Sequence, residues 1–268
     1  MTNDRYIRWE CPDCGEPTLT YIICTNPRTG SWLLSDGLAG TSVAGNPREW
    51  FNALEEKEQR ARWREAHGGS QLGYPAYLRL ACSLSHTGNG ISGIKLHHYD
   101  FTRLARKQLG MNTGEMMRRL FPRVRYIFLT RRDKVRQAIS YRLAVATDVW
   151  HVTAGAPREN HREPQFSAHA ITRAVESLTR RDAAWEAFFA ENGITPLALC
   201  YEDDLFTAED YQRTVARVLG WIGIPGAVPV PPVRLERQSG ELTEEWLRRY
   251  GTASALPAGH GVCILTKR

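Results

Sequence analysis

The chain has 268 residues, a net charge of +6, 24% charged and 42% apolar residues. That is enough for one large α/β core, and the balance excludes a disordered or membrane-embedded chain. No apolar run approaches the roughly 20 residues that span a bilayer. Met1 to Glu10, with Asp4, Arg5, Arg8 and Glu10, lacks the apolar stretch of a secretory signal, so a cytoplasmic location is expected. Lysine occurs only at 57, 95, 107, 134 and 267, and the remaining basic residues are arginine, whose planar fork suits bidentate contact with phosphate or sulfate. No basic run is interleaved with aromatics, which argues against a nucleic-acid partner.

In chain order, Cys11-Pro12-Asp13-Cys14-Gly15 looks like half of a zinc ribbon without its second pair. Free thiols in a reducing compartment, and no metal, are expected. Thr20 to Thr25 reads as a buried parallel strand ending in Asn26-Pro27 and a glycine turn, and Trp32, Leu33, Leu34 and Leu38 have helical spacing after it. Pro47 to His67 reads as a charged helix closed by Gly68-Gly69, and Tyr74 to Leu84 as another. Gly93 to His97 reads as a second strand. Asp100 and Asn112 are placed to cap helices running to Leu109 and Leu120.

Val124 to Thr130 is the clearest strand, with Asp133 placed to cap the long helix behind it. His151 to Pro164 reads as a surface loop, and Ala168 to Asn192 as a long amphipathic helix. Ile194 to Tyr201 reads as a third strand and Ala208 to Ile222 as a helix. A proline-rich stretch and a short helix around Glu244 to Tyr250 follow. Alternating strands and helices predict a mostly parallel sheet covered on both faces, which binds ligands at the carboxyl ends of its strands. The expected division is an N-terminal extension over 1–19, one domain over 20–250 and a tail over 251–268.

Two motifs fall at such strand ends. Thr25-Asn26-Pro27-Arg28-Thr29-Gly30-Ser31-Trp32 joins the first strand to a helix N-terminus, where unpaired N–H groups and the helix dipole attract an anion. Arg28, Thr29 and Ser31 add side-chain donors, and Gly30 permits close approach of the backbone. The Gly-Lys-Ser/Thr end of a Walker A loop is absent. Arg132 ends the central strand with Ser140 eight residues later, a fork and a hydroxyl suited to a dianion.

Together these resemble the 5′-phosphosulfate loop and 3′-phosphate motif of sulfotransferases that use 3′-phosphoadenosine 5′-phosphosulfate (PAPS). The further stretches Val43 to Phe51, Gly93 to Leu96, Arg131 to Trp150 and Leu235-Glu236-Arg237-Gln238 with Glu245-Trp246 resemble the bacterial trehalose 2-sulfotransferase family. The resemblance implies a P-loop-like sulfotransferase fold with a central, mostly parallel sheet flanked by helices on both faces. It implies PAPS as sulfuryl donor, a small hydroxyl acceptor such as a sugar or glycosylated metabolite, and no metal. A homodimer is compatible with it.

For residues, the resemblance implies that Arg28, Thr29, Gly30, Ser31, Arg132 and Ser140 bind the donor, with Arg237 and Gln238 closing over it. Glu49 becomes the general base. Lys95-Leu96-His97 looks like the strand-end Lys-x-His of cytosolic sulfotransferases, so His97 is the competing base. Trp32 stands where the trehalose family has a small residue and looks like the adenine-stacking tryptophan of the cytosolic branch. Asn46 replaces a sugar-binding glutamate, which counts against trehalose itself, and Trp150 is a candidate lining residue of the acceptor site. Two rival readings are a P-loop-type nucleotide kinase or NTPase and a non-catalytic nucleotide-binding module.

Overall fold

The computed structural model describes residues 17–109, 112–121, 123–150, 163–234 and 240–253. Strand β1 (Leu19–Thr25) leads into α1 (Ser31–Gly40), α2 (Ala53–Ala66) and α3 (Tyr74–Leu84). A two-residue β2 (His86–Thr87) precedes β3 (Ile91–His97), α4 (His98–Arg103), a single π-helical stretch over Leu104–Leu109, and α5 (Thr113–Leu120). Then come β4 (Val124–Thr130), α6 (Lys134–Thr147), α7 (Ala168–Glu191), β5 (Leu197–Cys200), α8 (Tyr201–Asp204), α9 (Ala208–Trp221) and α10 (Glu241–Ala253).

The strands lie in the order β2-β3-β1-β4-β5, all parallel except the edge pair of β2 with β3. From β1 the chain goes outward to β3 and then returns to β4 on the other side, which places a topological switch point beside β1. Register sets Thr25 level with His97 on one side and Leu129 on the other. The loops after β1, β3 and β4 therefore open along one rim of the sheet.

Alternation along β1 divides the core. Ile22 and Cys24 face an aromatic layer that includes Phe101 and, from α7, Trp185, Phe188 and Phe189. Tyr21 and Ile23 face Leu34 and Leu38 of α1 and Val215 and Val218 of α9. A third cluster, containing Ile139, Ile171, Leu178 and Trp246, binds α6, α7 and α10 together. Burial of such side chains is worth roughly 1.5–3 kcal/mol each, so the layers on both sheet faces hold the rim rigid. Among the described residues, no helix is long and apolar enough to cross a membrane.

Several expectations need adjusting. The segment predicted to start a helix at Pro47 is instead captured by the sheet: Lys95 N–H donates to the Arg48 carbonyl at 2.9 Å, and Arg48 forms a parallel bridge with Ile94. Helix α2 starts only after Asn52, whose side chain accepts from Leu54 N. Helix α4 starts at His98, so Asp100 sits in its first turn rather than at its cap. Asn112 and Asp133 do cap α5 and α6. Strand β5 is shorter than Ile194 to Tyr201: Ile194 N–H bonds back to the Phe189 carbonyl of α7, and α8 begins at Tyr201. Cys11, Cys14, Arg237, Gln238, most of the loop from His151 and the tail beyond Ala253 lie outside the described residues.

Candidate active site

The loop after β1 is held in an unusual backbone path. Arg28 and Gly30 both have positive φ, 68° and 79°, the left-handed conformation that also occurs in anion-binding nests. Gly30 is also the N-cap of α1, and the first-turn N–H groups beyond it have no intrahelical acceptor. A Cβ on Gly30 would lie 2.6 Å from Cδ2 of Tyr201. The Tyr201 ring thus closes one flank of the loop, and only glycine fits against it.

Beneath the loop lies a buried polar brace. Asn26 Nδ2 donates to Asp182 Oδ1 at 2.6 Å, and Lys134 pairs with the other oxygen of the same carboxylate. Gln137 Nε2 donates to the Pro27 carbonyl at 2.8 Å. Thr25 and Thr29 share a hydroxyl–hydroxyl bond of 2.7 Å. Thr29 is fully buried, so its side chain belongs to the scaffold rather than to the set of donors facing out. Sequence reasoning missed Asp182, yet it occupies the inward stripe Leu178, Asp182, Trp185, Phe189 of α7, where a carboxylate needs a partner.

On the β4 side the structure gathers two guanidinium groups. Arg28 Nε donates to Ser140 Oγ at 2.9 Å, and its Nη1 bonds the Trp150 carbonyl. Arg131 donates from Nη1 to the Arg28 carbonyl at 3.2 Å, and its guanidinium lies 4.8 Å from the centre of the Tyr201 ring. Burial, then the Arg131 charge, lowers the pKa of Arg28 to about 10, against an opposing pull from Tyr201. Burial likewise lowers Arg131. Arg131 Nε lies 3.7 Å from Glu202 Oε1 without a hydrogen bond to it, so two largely buried cations share this side of the loop with one carboxylate close to Arg131.

Arg132, the arginine predicted to join Ser140, points elsewhere. Its side chain is 64% exposed and pairs with Asp203. Its backbone N–H and that of Asp133 donate to Glu202 at 2.8 and 3.2 Å. Burial acts to raise the Glu202 carboxyl, but these N–H groups and the Cys200 thiol outweigh it and hold it low. Ser140 therefore meets Arg28, and the neighbouring Arg131 lies under the loop. At a strand end successive side chains point to opposite faces, and spacing alone did not separate the two arginines.

On the β3 side, capture of Arg48 by the sheet edge delivers Glu49 to the strand end. Lys95 Nζ is 2.9 Å from Glu49 Oε1, and His97 Nε2 is 3.6 Å from the same oxygen. Lys95 is 1% exposed; burial lowers its pKa, with Glu49 pulling the other way. Burial also lowers His97, again opposed by Glu49, so the imidazole stays neutral near pH 7. Lys95 Nζ also lies 4.2 Å from the centre of the Trp32 ring. Asn46 is engaged in the fold: its carbonyl accepts from Trp50 Nε1 at 3.0 Å and its N–H donates to Ser85. The Trp150 side chain is exposed, with Nε1 donating to Asp148.

The site therefore has two halves flanking one anion-binding loop: paired arginines with a serine on one side, and a carboxylate among a lysine and a neutral histidine on the other. The sequence model of a family described as Stf0 sulphotransferase matches residues 20–253. A trehalose 2-sulfotransferase of Mycobacterium tuberculosis (strain Erdman) is 30% identical over 256 residues, covering 86% of this chain and 93% of that protein. A trehalose 2-sulfotransferase of Mycolicibacterium smegmatis is 27% identical over 255 residues, with the same coverage of both chains.

Proposed function

The chain belongs to the Stf0 sulphotransferase family, and from that premise we propose that it transfers a sulfuryl group from PAPS to a hydroxyl of a sugar or glycosylated metabolite, with Glu49 as the base. PAPS would supply an activated sulfuryl group on a phosphate leaving group. The residues fit such a multiply anionic donor: the positive-φ loop offers backbone N–H groups, Gly30 leaves room for close approach, and Arg28, Arg131 and Ser140 converge beside it. We assign to Arg131 the anion-binding role that the spacing to Ser140 had suggested for Arg132.

The observation that carries the reading is the position of Glu49. It shares a rim with the loop, and its side chain is 23% exposed, against 13% for His97, so Glu49 is the more accessible to an acceptor. Lys95 Nζ, 2.9 Å away, holds the carboxylate at the strand end, where it would accept the hydroxyl proton. His97, neutral and 3.6 Å away, orients the carboxylate. The backbone donors and Arg28 would stabilise charge as it develops on the departing phosphate. The kinase alternative is not favoured, since the lysine expected after Gly30 is Ser31.

Asn46 cannot supply the charged acceptor for sugar hydroxyls that a glutamate would, so the acceptor is best sought in a panel that includes trehalose without being limited to it. The decisive experiment compares Glu49→Gln with His97→Ala. Glu49→Gln should lower turnover of PAPS by roughly 10²–10⁴, with affinity for adenosine 3′,5′-bisphosphate within about twofold of wild type, a change under 0.5 kcal/mol. His97→Ala should cost much less. Loss of turnover in His97→Ala with an active Glu49→Gln would reverse the assignment.

A further inference from the structure

The face of the loop on which Trp32 lies determines what that tryptophan can touch. Lys95 Nζ is simultaneously 2.9 Å from Glu49 Oε1 and 4.2 Å from the centre of the Trp32 ring. The indole and the carboxylate are therefore separated by no more than those two spans laid end to end. Lys95 belongs to β3, and His97, two residues on, reaches the same Glu49 oxygen. Arg28, the residue after Gln137's partner Pro27 in the same loop, turns the other way, to Ser140 of α6 and to Arg131 at the end of β4. Since β3 and β4 flank β1 on opposite sides, Trp32 and the paired arginines diverge from the loop in opposite directions.

We infer that Trp32 is an acceptor-specificity residue: its indole, held by Lys95 beside Glu49, bounds the space in front of the base and takes the C–H face of a sugar ring. This rests on the sulfotransferase reading and departs from an adenine-stacking role, which would require the nucleotide base to reach the β3 side while its phosphates stay with Arg28 and Arg131. The indole is partly exposed, and an aromatic ring offers an apolar face while its N–H remains available to a hydroxyl. The ammonium against the ring is almost fully buried, and a desolvated cation–π contact is strong enough to fix the ring plane. A carboxylate, a fixed aromatic wall and a neutral imidazole at one strand end suit a polyol with an apolar underside.

The test uses Trp32→Ala and Trp32→Phe in the full chain. Affinity for adenosine 3′,5′-bisphosphate is measured by calorimetry, and steady-state sulfation from PAPS is measured with trehalose, maltose and methyl α-glucoside as acceptors in turn. The KM for the best sugar should rise roughly five- to tenfold in Trp32→Ala and less in Trp32→Phe, which keeps an aromatic face, while nucleotide affinity stays within about twofold. A nucleotide affinity that falls in both variants while sugar KM is unchanged overturns the inference in favour of adenine stacking. Nucleotide binding by the wild type without transfer to any of these sugars overturns the sugar-face ligand. Failure of the wild type to bind the nucleotide at all would instead sink the sulfotransferase reading on which the inference rests.

Discussion

Arg131 and Arg132 are adjacent and chemically identical, yet the fold gives them different tasks. Arg131 is drawn under the loop, against the Arg28 carbonyl and the Tyr201 face, whereas Arg132 extends into solvent toward Asp203. An exposed pair of this kind contributes little and is easily exchanged. A buried arginine facing an anion makes charge-assisted contacts worth roughly 1.5–3 kcal/mol. Arg131→Ala should accordingly weaken adenosine 3′,5′-bisphosphate binding by roughly 10- to 150-fold, and Arg132→Ala by no more than about threefold, both read by calorimetry on variants with unchanged circular dichroism. The opposite ranking would restore the arginine chosen from its spacing to Ser140. The sequence offered two adjacent arginines at the end of β4, and which of them turns under the loop depends on how β4 exits the sheet.

At the scale of elements, the first strand, its loop and the helix behind it were legible because the apolar run, Asn26-Pro27 and the glycine turn are all local signals. The path from Gly45 to Asn52 was not. A proline followed by charged residues favours a helix start, and only the long-range bond from Lys95 N–H to the Arg48 carbonyl makes it a sheet edge. That capture is what brings Glu49 to Lys95 and His97, so the resemblance singled out Glu49 as the candidate base, while its surroundings came only from the fold. The loop itself makes a sharper test. In Gly30→Ala the new Cβ would adopt φ near +79° and meet the Tyr201 ring at 2.6 Å, whereas Gly69, at φ +87°, has nothing within 4 Å of a Cβ. Gly69→Ala should cost about 1 kcal/mol, the strain of a left-handed alanine. Gly30→Ala should cost more, about 2–3 kcal/mol, and should also weaken nucleotide binding; thermal melts and calorimetry of the two variants side by side would check both. Equal effects would mean that the Tyr201 contact yields without consequence.

For the whole molecule, the mostly parallel sheet with helices on both faces followed from the alternation of strands and helices, while β2 and α8, of two and four residues, are too short to carry a periodic signal. The same sheet rim that gathers the site also buries ionisable groups, and these make stability depend on pH in two opposing ways. His98, edge-on to Trp185, has its pKa lowered to about 4 by burial and by Arg181 and Arg106. Between the unfolded value of about 6.5 and that lower limit, the unfolded chain binds a proton that the folded chain refuses, so stability is lost as pH falls. Asp100, almost wholly buried with Arg103 at 3.8 Å and with Glu49, Asn52 and Arg181 around it, is raised to about 6, first by burial and then by Glu49.

Between the unfolded value of about 3.9 and 6, the folded chain keeps a proton that the unfolded chain releases, so this contribution is lost as pH rises. The two therefore offset each other between about pH 4 and 6, and the wild-type melting curve should look flatter there than either group dictates. Single variants should uncover the slopes. Relative to wild type, His98→Gln should gain melting temperature steadily as pH falls from about 6.5 to 4. Asp100→Asn, whatever baseline it loses with the Arg103 pairing, should gain relative to wild type as pH rises from about 4 to 6, by up to about 2–3 kcal/mol across the window. Differential scanning calorimetry at half-unit pH steps reads both differences directly. Difference curves that run flat, or that slope in the same direction for the two variants, would show that burial at this rim does not set the protonation of either group.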